Sequence, residues 1–526
     1  AGAIFGRVQD DKGAPLPGVN TTLECTSIGA PQTATTGPTG GFRFANIPPG
    51  ICSVTLSLEG FTEIRQEEVS VSIGGEVQLQ ITMRPTLEEE FVVVADTPVV
   101  DTRKLGNETT FTSEYLEQVP SGRDPWTMIE QTPGVDNDRI NIAGSEGGQQ
   151  TNFFARGDGF ASNTWRYDGV TAEDNAALGA TTYYDFDAFE EVQITSGGAD
   201  ASIGKSGVVV NIVTKRGGNK WEANVSGYYT SEDLQSDNTP QEILDNPTIS
   251  PVTGLPITRS NRIDQVYEYG LDIGGPIVKD KLFVWGSYRK NQVDLITRVA
   301  LFDKTELISW NLKTNYNMNQ SNELQFSIWT NDKNKSGRTF DPGNQAEETT
   351  WNQGSPGTIF DKYPTVQHTW IPNDRTILTS RYGYFAISFG LEPSGGNQVP
   401  MIYLLDAGRW EETGFFVTPI DRPTHSINSD LNVFRENWAG GDHEFKFGFE
   451  YSHNKLSTFS SYGIGYLIYT YGTQPGGTDP LQDGFVKAQY FVDGHTKYQT
   501  FSAYVTDTNR MDRLTLNLGA RFDTQD

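Results

Sequence analysis

From Trp221 to the end of the chain, apolar and polar residues alternate in runs of strand length. In Leu307–Tyr316, the residues Ile308, Trp310, Leu312, Thr314 and Tyr316 fall on one face, while Ser309, Asn311, Lys313 and Asn315 fall on the other. Phe445, Phe447, Phe449 and Tyr451 likewise oppose Glu444, Lys446 and Glu450. Near the end, Leu514, Leu516, Leu518, Ala520 and Phe522 oppose Thr515, Asn517, Arg521 and Asp523. A period of two predicts strands, and about eleven such segments are long enough to cross a bilayer. Their polar faces carry charges on strand after strand, which suits a wet lumen. The connections alternate as well. Long or mid-length stretches (Ser231–Arg262, Val293–Thr305, Lys333–Asp361, Gly390–Thr424, Leu456–Thr496) take turns with short ones at Gly275–Lys281, Asn317–Asn322, Ile371–Asp374, Asn437–Asp442 and Asn509–Asp512. Tight turns on one side and roomy loops on the other predict an antiparallel transmembrane β-barrel.

The pattern differs upstream. A short helix is expected at Glu114–Gln118 behind a Ser113 cap and is broken by Pro120; a second is expected at Pro125–Gln131, with proline in its first turn. Two β-prone runs, Glu190–Thr195 and Val208–Thr214, flank a small-residue stretch containing Gly197, Gly198, Gly204 and Gly207. Residues 104–219 therefore read as a compact α+β module. Residues 1–85 read as a small β-sandwich, its strands joined by turn chemistry such as Asp10–Gly18.

Phe153–Val170 (FFARGDGFASNTWRYDGV) followed by Phe189–Asn219 (FEEVQITSGGADASIGKSGVVVNIVTKRGGN) resembles the plug domain of TonB-dependent outer-membrane receptors. Arg156–Gly157, Asp168–Gly169, Gly204, Asn211, Thr214 and Lys215 carry the motif. The resemblance implies a structural role for them, with Arg156 and Asp168 each needing a partner or water inside a barrel. Gly6, Val8, Asp10, Gly13, Pro15, Leu16, Gly18 and Val19 resemble the hallmark of the carboxypeptidase regulatory-like domain, a transthyretin-type sandwich that carries no peptidase chemistry. The Gly274–Lys290 hairpin resembles the first barrel hairpin of Oar-like receptors. The resemblance implies a mainly β chain in four parts: a sandwich (1–85), a linker (86–103), a plug (104–219) and part of a 22-stranded barrel (220–526). Eleven strands would leave two unpaired edges in lipid, so a longer chain, or strands from another chain, is expected to complete the barrel.

In this family the linker position holds the TonB box, an extended segment that adds as a strand to TonB's sheet. Phe91, Val92, Val93, Val94 and Ala95, with acidic flanking residues, are the candidates. A last sandwich strand or a plain tether is the alternative for the same residues. The implied partners are TonB, outer-membrane lipid and an extracellular substrate that the sequence does not identify, with room for further outer-membrane proteins. The implied function is energy-coupled uptake of a sizeable nutrient (peptide, oligosaccharide or chelate). The alternative is a surface, adhesion or assembly protein on the same scaffold, motivated by the Tyr- and Gly-rich stretch Ser460–Gly477.

A formal charge of -27 over 526 residues opposes binding to phosphate backbones, so no nucleic-acid partner is expected. Mean hydropathy is -0.48 and no apolar run is long enough for a membrane helix, which leaves a barrel open as the crossing element. The five histidines (His368, His425, His443, His453, His495) form no zinc-peptidase motif, and no nucleophile elbow or phosphate loop occurs; neither an enzyme nor a cofactor or metal site is expected. Glu347, Glu348 and Asp479 read as solvated loop charge; calcium binding is the alternative for them, although no spacing resembles an EF-hand loop. Cys25 and Cys52 both lie on expected sandwich strands; a disulfide and two small buried thiols are both open to them.

Overall fold

The computed structural model describes residues 2–85 and 107–526, apart from single residues and short stretches of which 339–349, 355–362 and 471–485 are the longest. The candidate TonB box lies outside the described residues.

Seven strands form the N-terminal sandwich. One sheet orders Gly41–Ile47, Gly2–Gln9 and Glu76–Thr82, the last two parallel; the other orders Gln32–Thr35, Asn20–Cys25, Gly50–Ser57 and Ile64–Val71. Alternate residues point inward, and Ile4, Val8, Leu23, Phe44, Val54 and Leu56 meet in a closed core. Cys25 and Cys52 stand directly opposite each other on adjacent strands and are joined in a disulfide. The bond closes a loop across 27 residues, worth ~3 kcal/mol in lost unfolded-state freedom. Replacing both cysteines by serine is expected to lower the sandwich's stability by about that amount in chemical denaturation, without altering its fold.

The plug sheet orders Val170–Thr171, Thr164–Tyr167, Val209–Thr214, Phe189–Thr195 and Glu108–Thr112. Its helices are Ser113–Gln118 and Pro125–Glu130. The first is capped by Thr112, whose hydroxyl accepts from the Tyr115 N–H, so the cap sits one residue before the expected Ser113. Both residues are good caps, and pairing of Thr112 with Glu191 in the sheet decides between them. Asp124 caps the second helix, with Pro125 at its first position.

Eleven long strands, each antiparallel to the next, build the barrel wall among the described residues: Glu222–Ser231, Arg262–Val278, Leu282–Ile296, Phe302–Asn319, Asn322–Arg338, Tyr363–Asn373, Thr376–Pro393, Phe416–Trp438, Gly441–Thr470, Val486–Met511 and Leu514–Gln525. Leu271, Ile273, Leu312, Phe326, Phe447, Phe449, Leu516 and Leu518 are exposed on the outer face, while Ser309, Asn311, Lys313 and Asn315 are buried against the plug. The alternation therefore sorts lipid side from lumen side as expected. The loops are a correction. Val293–Thr305 was expected as a mid-length loop, but the strands run on to Ile296 and resume at Phe302. Much of Leu456–Thr496 is strand as well, since the ninth strand has 30 residues. Outside lipid a strand needs no apolar face, and backbone pairing alone continues it. An apolar-alternation rule stops short there.

Candidate functional site

The plug meets the barrel wall through two chemically different contacts. One is aromatic. Tyr167 of the plug stacks on Trp329 of the fifth strand at 3.8 Å between ring centroids, and Trp329 stacks on Tyr363 of the sixth at 4.4 Å. Phe385 and Ile387 of the seventh strand complete this patch, which is continuous with the plug's own core of Trp126, Trp165, Val192 and Ile212. Such rings bury large apolar area with little entropy to lose.

The other contact is ionic. Arg289 of the third strand donates to Asp185 at 2.7 Å, to Glu268 of the second strand at 2.6 Å, and to Asp187. Arg123 of the plug pairs with the same Asp187 and with Glu268 at 2.9 Å. Ser287 and Asn311 donate to Asp185, and Ser226 donates to Asp187. Two guanidiniums and three carboxylates, all largely buried, thus satisfy one another, and each depends on the rest.

The Asp168–Gly169 turn makes a second polar joint. Both residues have positive φ, as a two-residue hairpin between Tyr167 and Val170 requires. The Asp168 carboxylate accepts from the Thr214 N–H at 3.1 Å, the Thr214 hydroxyl at 2.8 Å and the Lys313 ammonium at 3.1 Å. At Gly169 a Cβ would stand 2.9 Å from Arg381 Nε, and its carbonyl accepts from Asn428. Asp168, Gly169 and Thr214 are therefore brought together, against barrel residues of the fourth, seventh and eighth strands.

Arg156 and Gly157 are not part of that joint. They form a separate tight turn with positive φ, and Arg156 is exposed, its guanidinium lying over Gly197 so closely that a Cβ there would meet Nε at 2.5 Å. Of the two ways expected for Arg156 to satisfy its charge, a partner or water, its exposure leaves it in reach of water. Lys215 reaches Glu117 at 3.4 Å, Gly204 faces Arg521, and the Asn211 side-chain oxygen is buried on the central strand. Arg521 and Arg166 share Glu450, each at 3.0 Å, which ties the small-residue stretch to the ninth and eleventh strands.

Sequence reasoning missed Arg123, Asp185, Asp187, Glu268, Arg289 and the Trp329 patch. A signal was available for Glu268, Arg289 and Glu450: each is a charge on the polar face of an alternating strand, and an acidic and a basic set must meet inside. Within the plug, burial pushes the Tyr183 phenol up to about 12; it accepts from Lys333 of the fifth strand at 2.9 Å.

Family models match this architecture piece by piece. The TonB-dependent receptor plug domain matches residues 102–209, an outer-membrane β-barrel domain matches 302–526, and the carboxypeptidase regulatory-like domain matches 3–84. The chain belongs to the TonB-dependent receptor family. The receptor is 23% identical to the TonB-dependent transporter Oar of Myxococcus xanthus over 297 residues, covering 54% of this chain and 26% of that one. Its fold is that of the outer-membrane transporter YddB of Escherichia coli (TM-score 0.59, 13% identity, covering 80% of this chain and 56% of that one). The siderophore receptor PirA of Acinetobacter baumannii is also similar (TM-score 0.53, 15% identity, covering 81% and 57%). The receptor thus spans about half the length of these solved structures and about a quarter of Oar. It is an outer-membrane protein, with the sandwich at the tight-turn end of the wall and the long hairpins at the other.

Proposed function

We propose that this receptor takes up a sizeable nutrient (a peptide, an oligosaccharide or a chelate) across the outer membrane, driven by TonB acting on Phe91–Ala95. The observation that carries this reading is the polar seat of the plug. A stopper meant to stay would be held by continuous apolar packing. Here much of the seat consists of ion pairs such as Arg289–Asp185 and Lys313–Asp168, which water can replace group by group once it enters. The residues following the linker begin the plug's edge strand, Glu108–Thr112, so force on the linker would reach the plug sheet directly. TonB would add its own strand to the linker, and the substrate would rest on the plug top among the outer hairpins.

The test is uptake. The ligand is identified by native mass spectrometry of the purified receptor, radiolabelled, and followed into the periplasm of energised cells. Accumulation that stops when the proton gradient is collapsed is the expected result. Binding at the surface with no entry would instead favour a surface or adhesion role.

A further inference from the structure

The sandwich does not hang free beneath the barrel. Between its strands Ile64–Val71 and Glu76–Thr82, the turn Ser72–Gly75 reaches the plug. There the Ile73 N–H donates to Glu191 at 2.9 Å, and the Gln193 amide donates to the Ile73 carbonyl at 2.7 Å. Ile73, Glu191 and Gln193 are all buried at this joint. One residue beyond the turn, Glu76 accepts from Arg43 of the sandwich at 2.5 Å and from Arg510 of the tenth barrel strand at 2.8 Å. The Arg43 guanidinium also lies 3.5 Å over the ring of Phe434, on the eighth strand. Burial in this joint pulls Arg43 down to about 10, and its side chain keeps only 14% of its exposure. The same few residues thus grip both the plug and the wall.

The gripped strand matters. Phe189–Thr195 pairs on one side with Glu108–Thr112, the strand that follows the linker, and Glu191 and Gln193 stand opposite Thr112 and Thr110. Any shift of that edge strand relative to the wall drags on residues that the sandwich holds.

We propose that the N-terminal sandwich is a strap across the periplasmic mouth, holding plug strand Phe189–Thr195 to the barrel rim through the Ser72–Gly75 turn and Glu76, and that it must let go before the plug can shift. The link to energised uptake rests on the function proposed above; the strap itself is tested without TonB or substrate.

The experiment uses the full receptor in detergent. Ile73→Cys with Gln193→Cys reports docking as an oxidative cross-link, and hydrogen exchange reports the plug. In the otherwise unchanged receptor the cross-link is expected to form. In Arg510→Ala and in Glu76→Ala it is expected to be lost, with exchange over 108–112 and 189–195 rising about tenfold or more. Exchange over 52–56, inside the sandwich, stays unchanged and shows that the sandwich is still folded. A cross-link that fails to form in the unchanged receptor, or that survives Arg510→Ala, overturns the strap. So does plug exchange that stays at its original rate once the cross-link is gone. None of these outcomes depends on what the receptor imports.

Discussion

Arg289→Ala is expected to loosen the plug's seat by about 3–5 kcal/mol, the cost of removing one partner from a buried charge cluster. The side chain is only 6% exposed, and two of its three acids, Asp185 and Glu268, are more than nine-tenths buried. Without it, Asp185, Asp187 and Glu268 are left with Arg123 as the guanidinium that reaches two of them. Three carboxylates around one cation repel one another, and taking up protons or admitting water relieves them. Urea unfolding of the full receptor, followed by the fluorescence of the buried plug tryptophans Trp126 and Trp165, measures the change. Arg298→Ala, at an exposed loop position, is expected to stay within about 0.5 kcal/mol of the parent. A loss below about 1 kcal/mol at Arg289 would mean that the cluster is already wet and carries little of the seat.

Deleting Phe91–Ala95 is expected to reduce energised uptake to the passive background while leaving ligand binding at the outer face intact. A strand added to a partner's sheet is held mainly by backbone hydrogen bonds. Three of them at about 1 kcal/mol each amount to roughly a hundredfold in affinity for TonB. Substituting single side chains within the segment should do much less, because the backbone would still pair. Proline at Val93 is the exception, since it removes a donor and should approach the effect of the deletion. Uptake that persists in the deletion would assign the segment to the tether and return the search for the pulling point to the rest of the linker.

Faces were legible in the sequence, and partners were not. Alternation placed Lys313 on the lumen side and Trp310 on the lipid side, because a strand's two faces see different solvents and composition records it. The two-residue turn at Asp168–Gly169 was legible for a similar local reason: positive φ at both positions needs such residues. That Asp168 meets Lys313, 145 residues away, is a matter of how the plug sits in the wall, and no local period encodes it. Arg156 makes the same point from the other side. Its turn also has positive φ at both positions, yet its side chain is exposed while that of Asp168 is paired, and nothing local to either turn tells them apart. The contact of Ile73 with Glu191 spans 118 residues and two domains, and it left no mark on either segment beyond an isoleucine at a turn.

The ninth strand, Gly441–Thr470, has 30 residues. At about 3.3 Å per residue and a tilt near 45°, it climbs roughly 70 Å, against a hydrocarbon layer of about 25 Å. More than half of it therefore lies beyond the apolar layer, stiffened by its pairing with the tenth strand. A solute approaching the plug from that end meets this standing hairpin before it meets the wall around the plug.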